Sequence, residues 1–498
     1  MSTEAAPAGS APVRDGSDKP SLFTRLAYGV GAVANGVKDN GLAYFLLLFY
    51  SQVVGVDSRL VSLALTLALI VDAFIDPVIG YWSDNLHSRW GRRHPFMYAA
   101  VAPVSVAYFL LWSPPAGWSE THLFLYLVGT LIAIRVCFSL YEIPANSLAP
   151  ELTSDYDGRS SLQAFRSYFG WTGGNAMSVF MFGVLFPLFV TKAIPNGQFN
   201  PKAYGVYGAI AAGLILTAIL ATSAGTHSRI PHLKAPPPKR KINIFGIFRE
   251  IFETLSNRSF IALFTASVFG SIASGLSASM AFLLYTYFWK FTSQQASVIT
   301  SGVFLSAVIG AVLAPIVSKT IGKKKGAIII GLIAFLGSPL PIALRLLGAL
   351  PPVGSDFNFW LVFWTTVFDV GLIICYQVLS GAMMADLVEQ AEVKTGRRSE
   401  GVFFAASAFI GKVVNGAGIT IAGLILAAAG LAKGANPASV PEATVLKLGM
   451  LYAPTIVTLW MIMLGVMSTY SITRDGHEAN LRLLAERKSQ ELDATLQD

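Results

Sequence analysis

Residues 71–80 read VDAFIDPVIG and place two carboxylates inside one of the most apolar stretches of the chain. The surrounding segment, residues 59–83, is long enough for one membrane-spanning helix, which needs roughly 20 apolar residues. A charged group inside a membrane is costly, so ionisable residues within spans are rare and usually functional. The sequence therefore predicts a membrane helix whose two acids, Asp72 and Asp76, serve a function.

The composition extends this prediction to the whole chain. Of the 498 residues, 54% are hydrophobic and 13% are charged, whereas soluble domains carry about 25% charged residues. These values are typical of a polytopic membrane protein. Cys137 and Cys375 both fall in apolar segments and form neither a disulfide framework nor a metal-binding pattern. We attribute the net charge of +8 to basic loops and expect no nucleic-acid partner.

The apolar segments predict an all-α membrane protein with twelve transmembrane helices. Their expected ranges are 24–54, 59–83, 95–113, 121–149, 162–190, 203–224, 259–289, 296–318, 325–347, 357–388, 401–430 and 448–471. With the N terminus in the cytoplasm, the inner loops carry far more Lys and Arg than the outer loops, which satisfies the positive-inside rule. We therefore expect a multi-pass protein of the cell (inner) membrane with both termini in the cytoplasm.

Two pairs of loops indicate that the chain consists of two similar halves. The sequence PELTSDYDGRSS from Pro150 resembles ADLVEQAEVKTGRRSE from Ala385, and SRWGRR ending at Arg93 resembles SKTIGKKK ending at Lys325. Both pairs have nearly the same separation, which favours a duplicated six-helix unit; chance similarity between short basic loops is the alternative. Such duplication is typical of secondary transporters, whose binding sites lie between the halves near the midplane.

The expected organisation follows from the spans and the repeat. It comprises a disordered N-terminal tail (1–20), a first six-helix half (21–224), a cytoplasmic linker (225–258), a second six-helix half (259–471) and a cytoplasmic tail (472–498).

The acids of residues 71–80 form part of a candidate cation site. Asp72 and Asp76 are one helical turn apart and share a face, where two like charges repel unless a proton or a cation joins them. In span 4, Arg135, Ser139 and Glu142 also share a face, and the oxygen atoms of Ser139 and Glu142 suit a hard cation. We predict cation binding by Asp72, Asp76, Ser139 and Glu142. A structural salt-bridge network between helices is the alternative.

Further charged residues suggest gating contacts. Arg135 and Asp369 lie near the centres of spans 4 and 10, at nearly equivalent places in the two halves. They are expected to pair across a central cavity in one state and to separate in another, although Arg135 could instead bind an anionic substrate. The loop GYWSDNLHSRWGRR resembles a major facilitator superfamily loop that bonds to neighbouring helix ends at the cytoplasmic side. The predicted gating residues are Asp84, Arg89, Arg92, Arg93, Glu151, Arg159, Asp369 and Asp386.

Several motifs together resemble the glycoside–pentoside–hexuronide cation symporters, the family of melibiose permease. They are VKDNG at 37–41, DAFIDPVIG at 72–80, SRWGRRHP at 88–95, YEIPANSLAPELT at 141–153, and Arg166. The resemblance covers all twelve helices. It implies a major facilitator fold and sugar transport coupled to sodium ions or protons, with Asp72 and Asp76 as the cation site and Ser139 at the place of a cation-binding Thr. Glu142 matches an acid that couples sugar and cation.

The same resemblance implies a set of substrate-binding positions. They are Lys38, Asp39, Glu142, Asn146, Arg166, Gln377 and Lys412, and Arg135 is added because it could bind an anionic substrate. Three positions depart from the family pattern. Ile75 replaces an Asn ligand, which weakens the case for sodium and leaves protons open. Asn146 and Gln377 replace two sugar-stacking Trp residues, so the substrate is expected to be smaller, held by hydrogen bonds, acidic, or not a sugar.

These observations favour a secondary transporter that couples a cation to a sugar or glycoside by alternating access. The alternatives are a lysophospholipid or other non-sugar transporter on the same fold, and a membrane receptor that does not transport. An enzyme is disfavoured because the six His residues lie in loops, at span edges or in the tail. We expect no cofactor beyond a coupling Na⁺ or H⁺, a small-molecule substrate, contact with the lipid bilayer, and a monomer.

Overall fold

The computed structural model describes residues 20–153, 155–232, 258–395 and 400–471. Within these ranges the chain folds into helices and contains no strand. The predicted tails and most of the predicted linker lie outside the described residues.

The described residues form twelve helical rods, which confirms the predicted architecture. They are α1 (Leu22–Val30, Ala32–Asn40, Gly41–Phe45, Leu46–Leu48 and Phe49–Val54), α2 (Ser58–Asn85), α3 (His94–Leu111), α4 (Glu120–Leu152), α5 (Tyr156–Phe180, Met181–Leu185 and Phe186–Leu188), α6 (Pro201–His227), α7 (Arg258–Leu283 and Leu284–Phe288), α8 (Ser293–Thr320), α9 (Lys323–Gly337 and Leu340–Leu346), α10 (Asp356–Thr395), α11 (Glu400–Ala429) and α12 (Glu442–Ser468). Two short turns, Gly197–Phe199 and Ile230–His232, flank α6.

Nine of these rods are long and apolar enough, by length and composition, to cross a membrane. The other three are α1, α5 and α11. Wider π-helical turns interrupt α1, and α5 carries many polar residues between Tyr156 and Phe180. In α11 the described apolar stretch is shorter, Gly416–Ala429. Polar positions within α1 and α5 are compatible with spans that border a hydrophilic interior.

Local sequence signals explain where several rods begin. Asp57 precedes α2 and accepts a hydrogen bond from the backbone N–H of Arg59 at 2.8 Å. Ser119 precedes α4, and Thr292 precedes α8 in a reciprocal capping arrangement with Gln295. Such side chains satisfy backbone N–H groups that lack partners in the first helical turn.

The packing of the rods repeats between the two halves. In the first half, α2 packs on α4, α3 packs on α4 and α6, and α1 packs on α5. In the second half, α8 packs on α10, α9 packs on α10 and α12, and α7 packs on α11. The halves meet where α2 contacts α11 and α5 contacts α8, which are also equivalent pairs. This correspondence supports the duplicated six-helix unit inferred from the loops.

The two ends of the bundle differ. We call the end with the loop between α2 and α3, residues 86–93, the basic face, and the other end the opposite face. Aromatic side chains of α1, α5 and α7 meet toward the opposite face, with the rings of Phe45 and Phe282 centred 4.8 Å apart and those of Phe182 and Phe282 4.6 Å apart. Each such pair contributes about 0.5–1.5 kcal/mol beyond its buried area.

Hydrogen bonds between the halves also lie toward the opposite face. Tyr287 of α7 donates to Gln52 of α1 at 2.9 Å, and Ser58 of α2 donates to the carbonyl of Gly423 in α11 at 3.0 Å. Lys433 and Glu120 form an ion pair at 2.9 Å. Among the side chains that the structure describes, the hydrogen bonds joining the halves lie in the part of the bundle near the opposite face, so the protein is closed there.

Helices α1 and α5 approach closely through glycine. A Cβ atom added at Gly36 would lie 1.8 Å from the carbonyl oxygen of Gly170, and one added at Gly174 would lie 2.6 Å from the carbonyl oxygen of Gly36. Small residues at helix interfaces let two backbones come together in membranes. This contact fixes α1, which carries Lys38 and Asp39, against α5.

We predict that Gly36→Ala destabilises the protein, because the added methyl group must separate two backbones. Overpacking of this kind costs about 1–3 kcal/mol. Gly129→Ala in α4 is the matched control, since nothing lies within 4 Å of an added Cβ there, and Ala favours a helix by about 1 kcal/mol over Gly. The apparent melting temperature in detergent should fall for Gly36→Ala and stay level or rise for Gly129→Ala. Equal melting temperatures would contradict the close approach.

Candidate functional site

The predicted cation ligands of α2 and α4 lie together in the structure. The Ser139 hydroxyl donates to Asp72 Oδ1 at 3.1 Å and to Asp76 Oδ1 at 2.6 Å. Arg135 Nη1 lies 3.5 Å from Asp72 Oδ2. Asp72 and Ser139 are buried. We call Asp72, Asp76, Ser139 and Arg135 the acid cluster.

The acid cluster has the chemistry of a site for a small cation. One hydroxyl group has a single hydrogen, so Ser139 cannot fully satisfy both carboxylates, and the two acids repel each other when both are ionised. A proton or a metal cation between them would remove that repulsion, and carboxylate and hydroxyl oxygens are the ligands that hard cations prefer. Arg135 contacts Asp72 through the other carboxylate oxygen.

A second cluster joins α4 to α1 next to the first. Lys38 Nζ lies 3.1 Å from Asp39 Oδ1 and 4.0 Å from Glu142 Oε2, and it also lies 3.8 Å from the ring centre of Phe138. The amide of Asn35 donates to Glu142 Oε1 at 2.8 Å. The described contacts of Glu142 therefore run to α1. Its predicted role as a cation ligand stays a prediction, as does its role in binding substrate.

Arg166 of α5 faces α1 as well. Its Nη1 atom donates to the Tyr28 hydroxyl at 3.3 Å, and the guanidinium lies 5.8 Å from the centre of the Tyr28 ring. Three of the predicted substrate-binding residues therefore lie on α1 or in contact with it: Lys38 and Asp39 belong to α1, and Arg166 contacts it from α5.

A cavity of about 530 Å³ lies between the halves. This volume is within the usual range for ligand pockets of about 300–1,000 Å³. Its wall contains Asp39 from α1, Trp171 from α5, and Asp369 and Gln377 from α10. Asp39 is 56% exposed. Two predicted substrate positions therefore border the cavity from different halves, whereas the exposed Asn146 is not among its described lining residues.

The predicted pair of Arg135 and Asp369 is not formed in this structure, although both side chains lie in its described part. Arg135 contacts Asp72 within the first half, and Asp369 lies in the cavity wall. The sequence spacing indicates that the two residues lie at equivalent depths in the repeated helices. Equivalent depth does not fix the direction in which a side chain points, so the two need not meet in every state. The side chain of Lys412 lies outside the described residues.

Ion pairs at the basic face involve most of the predicted gating residues. Arg92 Nη2 and Arg93 Nε lie 2.7 Å and 3.2 Å from Glu151 Oε1, and Arg93 Nη2 lies 2.5 Å from Asp84 Oδ1. Arg93 also donates to the Ser83 hydroxyl at 2.9 Å. These contacts connect the loop after α2 to the ends of α2 and α4.

The second half contains an equivalent ion pair. Lys323, at the start of α9, lies 2.6 Å from Asp386 of α10, which corresponds in the repeat to Glu151 of α4. The other predicted gating residues are exposed: Arg89 lies over the ring of Trp90, and Arg159 donates to the carbonyl of Thr153. All these described contacts are within one half, so in this structure they connect helix ends without bridging the halves.

Sequence reasoning missed several residues of the site. Asn35 lies one helical turn before Lys38, so helical periodicity could have identified it. Trp171 and Asn175 are likewise one turn apart in α5 and both border the cavity. The aromatic residues Trp289 and Trp460 also border it. No short-range pattern indicates that these rings would reach the interior.

Comparisons with known proteins agree with the fold. The family profile described as MFS/sugar transport protein matches residues 27–474. The isoprimeverose transporter of Lactiplantibacillus pentosus is 26% identical over 82% of this chain and 80% of its own length. The glucuronide carrier protein homolog of Escherichia coli (strain K12) is 25% identical over 85% of this chain and 86% of its own length.

Solved structures show the same architecture. The D-xylose-proton symporter superposes with a TM-score of 0.58 at 13% identity, covering 88% of this chain and 97% of that one. The nucleoside transporter NupG superposes with a TM-score of 0.58 at 13% identity, covering 90% of this chain and 99% of that one. At these identities the likeness shows the major facilitator fold.

We predict that Glu151→Gln destabilises the first half, because the partly buried Arg92 loses its carboxylate and the buried Arg93 keeps only Asp84. Removing one partner of a buried ion pair costs about 3–5 kcal/mol. Lys433→Gln breaks an exposed pair, in which Lys433 is 53% accessible, and should cost at most about 1 kcal/mol. Melting temperatures of both variants in detergent provide the comparison. An equal or larger effect of Lys433→Gln would contradict this assignment.

Proposed function

The chain belongs to the glycoside–pentoside–hexuronide symporter family of the major facilitator superfamily, and on that premise we propose that it carries a sugar or glycoside together with a monovalent cation. The family consists of transporters rather than enzymes. The proposed coupling ion is a sodium ion or a proton, held by the acid cluster. The proposed site for the sugar is the cavity between the halves.

One observation carries this proposal: α4 belongs to both sites. Ser139 contacts both acids of α2, and Glu142, three residues later, contacts Asn35 and lies 4.0 Å from Lys38 of α1. Lys38 in turn contacts Asp39, which borders the cavity. A cation that draws Asp72 and Asp76 together would therefore act on the same helix that positions the substrate-facing residues.

This arrangement gives a physical route for coupling. Binding of a cation neutralises the repulsion within the acid cluster and orders α2 against α4. Because Glu142 also belongs to α4, ordering this helix would hold the contacts of Glu142 with Asn35 and Lys38 of α1 in place for sugar binding. Thermodynamic linkage makes the effect mutual, so bound sugar must raise the affinity for the cation by the same factor.

The proposed transport cycle is alternating access between the two halves. The structure is closed near the opposite face by the packed rings of Phe45, Phe182 and Phe282. The hydrogen bond from Tyr287 to Gln52 adds to this closure. The excess of basic loops assigns the basic face to the cytoplasm, with both termini on that side. The described conformation therefore represents a state that is closed to the outside. In the outward-facing state the contacts near the opposite face would separate, and new contacts would form at the basic face.

The proposal is tested by uptake into proteoliposomes that contain the purified protein. A tenfold inward gradient of sodium ions or of protons is imposed separately, and labelled neutral glycosides, hexuronides and lysophospholipids are screened. At one cation per sugar, a tenfold gradient supports up to about tenfold accumulation, because each tenfold ratio carries about 1.4 kcal/mol. We expect one sugar class to accumulate with one of the two gradients. Lysophospholipid movement without sugar uptake would contradict the proposal.

Asp72→Asn identifies the coupling site in the same assay. This variant should lose accumulation against the gradient, since one of the two acids can no longer hold a charge, while the sugar still equilibrates down its own gradient. Asp356→Asn is the matched control, because Asp356 is an exposed acid in the first turn of α10 near the opposite face. Normal accumulation by Asp72→Asn would refute the role of the acid cluster.

A further inference from the structure

Asp369 is a buried acid that the proposed coupling mechanism does not use. It lies in α10 with 8% of its surface accessible, and it forms part of the cavity wall. Its Oδ1 atom is buried and has no hydrogen-bond partner in the described part of the structure. The carboxylate faces Gly337 of α9, where an added Cβ would lie 3.9 Å from Oδ1. A buried carboxylate oxygen without a donor costs free energy, and a hydroxyl group of a bound ligand would supply that donor.

The surroundings of Asp369 supply hydroxyl groups and aromatic rings. Ser338, Thr365, Thr366, Tyr285 and Tyr452 border the same cavity. None of the described residues that line the cavity is Lys, Arg or His. An ion pair with the protein therefore does not explain this acid among the described side chains. Aromatic side chains beside a carboxylate are typical of a site that orients a polar ligand in an otherwise apolar pocket.

We propose that Asp369 is a substrate-binding carboxylate of the second half, which accepts hydrogen bonds from hydroxyl groups of a neutral glycoside. The rest of that glycoside lies toward Asp39 in the first half, so the sugar connects the two halves that must move during transport. This inference rests on the proposed function and specifies the substrate class for that same cavity.

The charges of the cavity distinguish between neutral and acidic sugars. Asp39 has a positive partner, since Lys38 Nζ lies 3.1 Å from its carboxylate. Asp369 has no such partner among the described residues. Arg135 and Arg166, which could have bound an acidic sugar, contact Asp72 and Tyr28 instead. An ionised Asp369 would repel the carboxylate of a hexuronide, whereas the hydroxyl groups of a neutral glycoside would donate to it.

Equilibrium binding of a neutral glycoside tests the proposal without any gradient. Trp171, Trp289 and Trp460 border the cavity, so quenching of intrinsic fluorescence reports occupancy. Asp369→Asn keeps the shape of the side chain but removes its charge. Hydrogen bonds to a charged group are stronger than those to a neutral group. We therefore expect Asp369→Asn to bind the glycoside about 10- to 100-fold more weakly. Asp356→Asn, the same change in the same helix outside the cavity, should bind the glycoside as the wild-type protein does.

Two further measurements make the outcome decisive. Cation binding without sugar should be unchanged in Asp369→Asn, which shows that the variant is folded and that the acid cluster is intact. The wild-type protein alone should bind the neutral glycoside at least about ten times more tightly than the hexuronide of the same sugar. Wild-type affinity in Asp369→Asn, or equal affinity for the hexuronide, would overturn the inference and leave the proposed symport standing. Failure of the wild-type protein to bind any glycoside would overturn both.

Discussion

Two carboxylates one turn apart inside a membrane helix repel each other, and the rest of the site depends on how that repulsion is relieved. Asp72 and Asp76 share one hydroxyl donor, Ser139, and Asp72 also contacts Arg135. All of these partners belong to α4. The balance of charge in α2 is therefore transmitted to α4, and through Glu142 to the part of α1 that borders the cavity. The proposed cation and sugar sites are connected because both include residues of one helix, α4.

The duplicated architecture provides two similar halves that can move relative to each other. Equivalent helices form equivalent contacts within each half, and Arg92, Arg93 and Glu151 in one half correspond to Lys323 and Asp386 in the other. These ion pairs hold helix ends together inside each half. The contacts between halves near the opposite face are separate and consist of aromatic rings, hydrogen bonds and the exposed ion pair of Lys433 with Glu120. Two internally stiff bodies with a limited contact region suit rocking about a central cavity.

Much of this could be predicted from the sequence, for physical reasons. Membrane spans are long and apolar, so all twelve rods were predicted in order, and the helical period placed Asp72 and Asp76 on one face. The family motifs identified Ser139, Lys38 and Asp39. Other features depend on the directions in which side chains point, and the spacing of residues in the sequence does not reveal these directions. Asp369 was expected to pair with Arg135 in one state and to separate from it in another; in this structure Asp369 lies in the cavity wall and Arg135 contacts Asp72. The aromatic lining was missed because Asn146 and Gln377 occupy the places where the family has Trp, while Trp171 and Trp289 reach the cavity from elsewhere in the chain.

The central claim is that the acid cluster and the cavity are coupled through α4, and a pair of binding titrations in detergent tests it most directly. The affinity for sugar is measured with and without the coupling cation, and the affinity for the cation is measured with and without sugar. The account predicts that each ligand raises the affinity for the other by the same factor, and that Asp72→Asn reduces this factor to one while the protein still binds sugar. Sugar affinity that does not depend on the cation in the wild-type protein would contradict it.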